Sequence, residues 1–208
     1  MYNLVHVILS TFFSLVFRWK IVGVENIPPG GVIIAANHIS LWDPPVLGTA
    51  IPRRIHFMAK EELFTNPIFS WLITKLGAFP VKRGAADRTA IRTALALLEN
   101  GSILGIFPEG TRSKDGRLGA AEPGLALLAL KAGVPVVPAA LIGTNKVFQD
   151  GQLLPTFKVI FGKPIVLNRD STAKESMEAM SMRVMSEIGL LLESANPSHS
   201  KQVQVDGK

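Results

Sequence analysis

The chain opens with an almost uninterrupted apolar stretch, and its few polar positions are ordered. Asn3, His6, Ser10, Ser14 and Arg18 recur at spacings of three and four, amid Leu, Val, Ile and Phe. That is the pattern of a helix with one narrow polar stripe. Seventeen helical residues reach about 25 Å, short of the roughly 30 Å hydrocarbon core of a bilayer. No basic leader and no small-residue cleavage site is visible in this stretch, which argues against a signal peptide. The helix therefore suits shallow burial in one leaflet, with Arg18, Trp19 and Lys20 at the headgroups. Two other readings stay open: a helix packed on its own domain, and a single span.

From Gly31 onward the pattern changes to short β-branched runs alternating with helical stretches, the rhythm of an α/β domain. A short strand over Ile21–Val24 comes first. The further strands predicted are Val32–Ala36, Arg54–Met58, Phe79–Val81, Ile103–Phe107, Val134–Leu141 and Phe157–Phe161. They are apolar without alternation, so both faces should be covered. Asp43-Pro44 predicts a helix start, with Asp43 as N-cap and proline in the first turn. Pro67 begins a helix through Lys75, and Asp87 caps one over Arg88–Glu99 that Asn100-Gly101 ends. Pro123-Gly124 leads a helix to Lys131. Ser171 or Thr172 caps the last one, through about Glu193. The expected fold is a single α/β domain over residues 21–194, with a mixed, largely parallel central sheet flanked by helices. An N-terminal helix over 1–20 precedes it, and a polar tail expected to be disordered, 195–208, follows.

The composition narrows the partners. Of 208 residues, 48% are apolar and only 18% charged, with a mean hydropathy of +0.31, toward the greasy end of globular proteins. The net charge of +6 attracts anions. Aromatic residues do not interleave with basic clusters and no nucleic-acid module is present, which disfavours nucleic acid. There is no cysteine, hence no thiolate nucleophile and no cysteine-ligated metal. The four histidines are scattered outside any metal-ligand spacing, so no metal site is expected.

Candidate chemistry gathers just after the apolar strands, where open α/β sheets bind ligands. His38 follows Val32–Ala36, and Asp43 lies five residues on. Asp43 could accept from one ring nitrogen of His38 and leave the other as a general base. It could equally serve only as a helix cap, and a carboxylate has lone pairs enough for both. Phe107-Pro108-Glu109-Gly110-Thr111-Arg112-Ser113 follows another strand. Its acceptor, hydroxyl and planar guanidinium suit a phosphate and a polyol, although a polar turn with a surface ion pair has the same composition. Lys60 ends a third strand, and Lys82 and Arg83 follow a fourth.

These stretches, in order N-H-x-S-x-x-D, G-x-F-x-x-x-R, F-P-E-G-T-R-S and V-P-V-V-P, resemble the four blocks of the glycerolipid acyltransferases. The similarity is greatest to the 1-acylglycerol-3-phosphate (lysophosphatidate) acyltransferase family, and runs from about Val22 to Val166. The resemblance implies transfer of a fatty acyl group from a thioester to the sn-2 hydroxyl of 1-acylglycerol 3-phosphate, giving phosphatidate. It implies His38 as general base and Asp43 as its orienting partner. Lys60, Arg83 and Arg112 would contact the phosphate, and Glu109, Gly110 and Thr111 would shape the glycerol site. Val136 to Pro138 would line the acyl chain. Lys82 departs from the pattern, in which an acid often precedes the arginine. No cofactor or metal is implied. The donor is acyl-coenzyme A or acyl-carrier protein, the acceptor a membrane lipid, and the expected location the cytoplasmic face of the cell membrane, without a span. Glycerol 3-phosphate or another lysolipid is an alternative acceptor. A thioesterase or lipid hydrolase is the alternative class, although no G-x-S-x-G elbow is present.

Overall fold

A computed structural model of the chain describes residues 2–82, 87–147, 154–166 and 173–195. Seven strands form one sheet: β1 (Lys20–Val22), β2 (Val32–Ala36), β3 (Ile55–Lys60), β4 (Ala78–Val81), β5 (Ile103–Ile106), β6 (Val136–Ile142) and β7 (Lys158–Phe161). Their order is β1-β7-β6-β2-β5-β3-β4. Every pairing is parallel except β6 with β7. The expected mixed, largely parallel sheet is thus present.

Helices α1 (Tyr2–Phe17), α2 (Asp43–Ala50), α3 (Pro67–Leu76), α4 (Arg88–Glu99), α5 (Gly124–Ala132) and α6 (Ala173–Ser194) cover it. The centre of the sheet shows why. All five residues of Val-Ile-Ile-Ala-Ala in β2 are buried, and successive side chains point to opposite faces. Val32, Ile34 and Ala36 join α1 and α2 in one core, through Phe13, Phe17, Val46 and Leu47. Ile33 and Ala35 join α4, α5 and α6 in the other, through Leu98, Leu125, Ala129 and Val184.

Local signals set most element ends. The Asn66 carboxamide oxygen accepts from Ile68 N and Phe69 N at the start of α3, and Gly77 ends that helix at φ 108°. Asp87 caps α4 as expected, accepting from Thr89 N and Ala90 N. The tail beyond Ala195 and the proposed caps Ser171 and Thr172 lie outside the described residues.

One expectation changes. Asp43 is the first residue of α2 rather than its N-cap; Trp42 holds that position and no side chain caps the helix. The Asp43 carboxylate turns back into the preceding loop, where backbone N–H groups meet it. Helix α1 is seated on its own domain along one side, through Phe13 and Phe17. Its polar stripe is partly used for that seat, with His6 Nε2 3.1 Å from Ile51 O. The opposite side leaves Leu4, Val7, Ile8 and Leu15 exposed. No described helix is long and apolar enough to cross a membrane.

Candidate active site

The site is built at the carboxyl ends of β2, β5 and β6, which are adjacent in the sheet. The loop leaving β2 is held first by Asn37. Its buried carboxamide donates to Leu141 O at 3.0 Å and accepts from Leu141 N at 2.7 Å, which registers the loop against β6. His38 follows, with Nδ1 2.8 Å from Asp43 Oδ2. The same oxygen accepts from Ile39 N and Ser40 N, each at 2.7 Å. Asp43 is fully buried, and its other oxygen accepts from the Thr144 hydroxyl at 2.6 Å.

An ionised carboxylate can only accept, so Nδ1 carries the proton in this pair and Nε2 keeps its lone pair. That tautomer is assigned from the hydrogen-bond chemistry. The ring plane is set by stacking on Phe107, with centroids 4.1 Å apart and planes 20° apart. Phe107 in turn lies nearly parallel to Phe57.

The loop leaving β5 braces His38 from the other side. Glu109 accepts from His38 N at 2.9 Å through Oε1 and from Gly119 N at 3.1 Å through Oε2. Ser113 N donates to His38 O at 2.8 Å. Between them Gly110 takes φ +67°, a conformation that L side chains rarely adopt. Thr111 and Arg112 are exposed on this loop, next to the Ser113 tether.

A mostly apolar cavity of about 460 Å³ opens beside His38. Its walls come from α1 (Tyr2, Val5, Leu9), α2 (Pro45, Thr49), β3 (Phe57, Met58) and α3 (Phe69, Leu72), and Lys60 also borders it. Lys60 is half-exposed and pairs with Glu62 at 2.8 Å. Lys82 faces solvent, 3.8 Å from Glu61.

The structure thus brings His38, Asp43 and Glu109 together, with Gly110, Thr111 and Arg112 on the bracing loop and Lys60 at the cavity. Arg83 lies outside the described residues. Val136 to Pro138 are buried inside β6 and do not line this cavity, whose walls are α1, α2, β3 and α3. Among the described residues no group of three or more His, Asp or Glu is placed to hold a metal. Asn37, Phe107 and Thr144 are site residues that the sequence reading passed over. For Thr144 a signal existed, because it is a polar side chain directly after an apolar strand, as His38 and Glu109 are.

Comparison with known proteins bears on this arrangement. Residues 18–142 match the protein family described as Acyltransferase. A 1-acyl-sn-glycerol-3-phosphate acyltransferase of Bacillus subtilis is 37% identical over 163 residues, covering 76% of this chain and 78% of that protein. The chloroplastic 1-acyl-sn-glycerol-3-phosphate acyltransferase LPAT1 of Arabidopsis thaliana is 35% identical over 157 residues, covering 72% of this chain. The chain spans only 44% of that plant protein's length. The crystal structure of the 1-acyl-sn-glycerophosphate acyltransferase from Thermotoga maritima superposes with a TM-score of 0.70. It is 28% identical, and the match covers 90% of this chain and 79% of that one. A matching family over most of the domain, a close relative and a shared fold agree: the chain belongs to the acyltransferase family.

Proposed function

We propose that the protein transfers a fatty acyl group from an acyl thioester to the sn-2 hydroxyl of 1-acylglycerol 3-phosphate, giving phosphatidate, with His38 as general base oriented by Asp43. The observation that carries this reading is the 2.8 Å contact between His38 Nδ1 and Asp43 Oδ2, at the edge of an apolar cavity. The acceptor is the one named for the relatives from Bacillus subtilis and Arabidopsis thaliana.

In the reaction the acceptor oxygen attacks the thioester carbonyl while its proton passes to Nε2. The C–O bond forms, the C–S bond breaks, and the departing sulfur takes the proton from the imidazolium. An alcohol, with a pKa near that of water, lies about nine units above an ordinary imidazole, which amounts to about 12 kcal/mol. Full deprotonation before attack is therefore too costly, and proton transfer accompanies attack. General-base assistance of this kind contributes about 10²–10⁴-fold. Positioning by the cavity and loops supplies more.

The cavity is the natural place for an acyl chain. Arg112 on the bracing loop, Arg83 and Lys60 are the cations for the phosphate. Among the described residues Lys60 is paired at the surface with Glu62, a contact of a kind worth about 1 kcal/mol or less, which a phosphate can displace. The exposed Leu4, Val7, Ile8 and Leu15 of α1 and Ile68 and Trp71 of α3 belong to two of the helices that wall the cavity. Apolar groups bared on these helices support residence on a membrane surface, where a lysolipid acceptor is found.

The test is purified protein with lysophosphatidate and each donor, acyl-coenzyme A and acyl-carrier protein, with products separated by thin-layer chromatography. Phosphatidate is the expected product. His38→Ala should lower turnover by about 10²–10⁴-fold with unchanged thermal unfolding, and wild-type turnover in that variant would sink the assignment. Arg112→Ala should raise KM for phosphorylated acceptors. Free fatty acid without esterified product would point to a hydrolase, and turnover confined to glycerol 3-phosphate would reassign the acceptor.

A further inference from the structure

The two oxygens of Asp43 are used unequally. Oδ2 takes three N–H donors, from His38 Nδ1, Ile39 and Ser40, whereas Oδ1 takes the Thr144 hydroxyl. At 2.6 Å this is a short O–H···O⁻ bond of the charge-assisted kind. Thr144 is itself 1% exposed, so water does not replace it readily. It opens the 3-10 turn Thr144–Lys146 directly after β6. The preceding Gly143 has φ +86°, and a Cβ there would collide with Thr156 O. The backbone that aims the hydroxyl is thus fixed by the segment leading into β7, a part of the chain that carries none of the other site residues.

We propose that Thr144 is a positioning residue for acyl transfer: its hydroxyl pins Oδ1 of Asp43, so that Oδ2 stays in line with the Nδ1–H of His38 as the imidazole takes up the acceptor's proton. This role rests on the reaction proposed above. Without the hydroxyl, a buried carboxylate oxygen loses its partner. The carboxylate is then free to turn about its last torsion and share its charge differently among the three N–H groups at Oδ2. The imidazolium that forms during attack loses alignment with its counter-charge. The acceptor, bound elsewhere, is not affected.

The variants are Thr144→Val, which keeps the shape and removes the hydroxyl, and Thr144→Ser, which keeps the hydroxyl. With lysophosphatidate and an acyl thioester, Thr144→Val should lower kcat about 10- to 100-fold with the acceptor KM within about twofold. Thr144→Ser should stay within about threefold of the wild type. In a His38→Ala background Thr144→Val should have no further effect, because the hydroxyl acts through the histidine. Equal losses in Val and Ser, wild-type kcat in Val, or a full multiplicative loss in the His38→Ala background would each overturn the proposal. If Thr144→Val does not fold, Thr144→Cys, which replaces the hydroxyl by a weak donor, should show the same kcat loss at unchanged KM, and a wild-type kcat there overturns it. The His38 Nδ1–H resonance in the NMR spectrum reads the same contact without turnover: it should move in Thr144→Val and not in Thr144→Ser. A wild-type protein inactive on every acceptor would defeat the reaction, while an unmoved resonance would defeat the role of Thr144.

Discussion

Glu109 provides the sharpest test of how the site is held, because its carboxylate spans two backbone amides. Oε1 meets the partly buried His38 N–H, and Oε2 meets Gly119 N–H at the surface. In Glu109→Ala the His38 amide loses its partner, which costs about 1–3 kcal/mol for a buried donor. The Gly119 amide can turn to water, so it adds little. A domain of this size shifts its melting temperature by about 2–4 °C per kcal/mol, giving an expected drop of roughly 2–12 °C. Glu109→Gln can still offer its amide oxygen to His38 N and loses only charge assistance, about 1 kcal/mol. Displacing a general base by about 1 Å costs on the order of 10²-fold. Glu109→Ala should therefore reduce kcat up to about that much, with Glu109→Gln intermediate and the acceptor KM within about threefold in both. Thermal unfolding by circular dichroism and initial rates over a range of lysophosphatidate concentrations measure the two effects. Unchanged melting with KM raised tenfold or more at wild-type kcat would refute the brace, and would return Glu109 to the glycerol contact that the family resemblance implies.

Phe13, fully buried among Phe17, Trp19, Trp42 and Phe157, should cost about 3–5 kcal/mol on truncation to alanine. Chemical denaturation would show it, and a loss below 1 kcal/mol would mean that α1 is not seated as described. The His56 imidazole is held below its usual range by burial first and by the Arg54 charge second, against the raising effect of its bond to Gly77 O. Below about pH 6.5 the unfolded chain protonates this residue before the folded one does. Its contribution to stability is therefore full above that value and falls away as pH drops through the depressed folded value. His56→Gln should flatten the stability–pH curve on that acid side, and an unchanged curve would contradict the assignment.

What could be read from the sequence depended on whether a local rule decided it. The run Val32–Ala36 has no polar position, so only a central strand accommodates it, and β2 has those bounds. Asp87 before Arg88–Glu99 with Asn100-Gly101 behind is a complete local statement, and α4 obeys it. Asp43 was misjudged at the same level because a proline after an aspartate fixes where a helix starts, not which way the carboxylate turns. The Ile39 and Ser40 amides decided that. Thr144 was passed over for a different reason: a hydroxyl after a strand is a common and therefore weak signal, and its link to Asp43 joins residues far apart in the chain. The apolar run Val136–Pro138 invited assignment to the acyl chain, yet hydropathy cannot tell a strand buried in the sheet from a wall facing an opening. The cavity beside His38 is walled instead by α1, α2, β3 and α3.

The pairing of β1 with β7 places the first strand of the sheet beside its last, Lys20 against Lys158 and Phe17 stacked on Phe157. A ribosome adds roughly 5–20 residues per second, so on the order of ten seconds separates these partners during synthesis. Through that interval α1 has emerged while β7 and the Phe157 ring do not yet exist, and the seat for Phe13 and Phe17 is incomplete. Until Phe157 is in place, those side chains lack the full seat they have in the finished domain. The timetable of translation gives a nearby bilayer an opportunity that the folded protein, once closed, would offer only through the outer side of the helix.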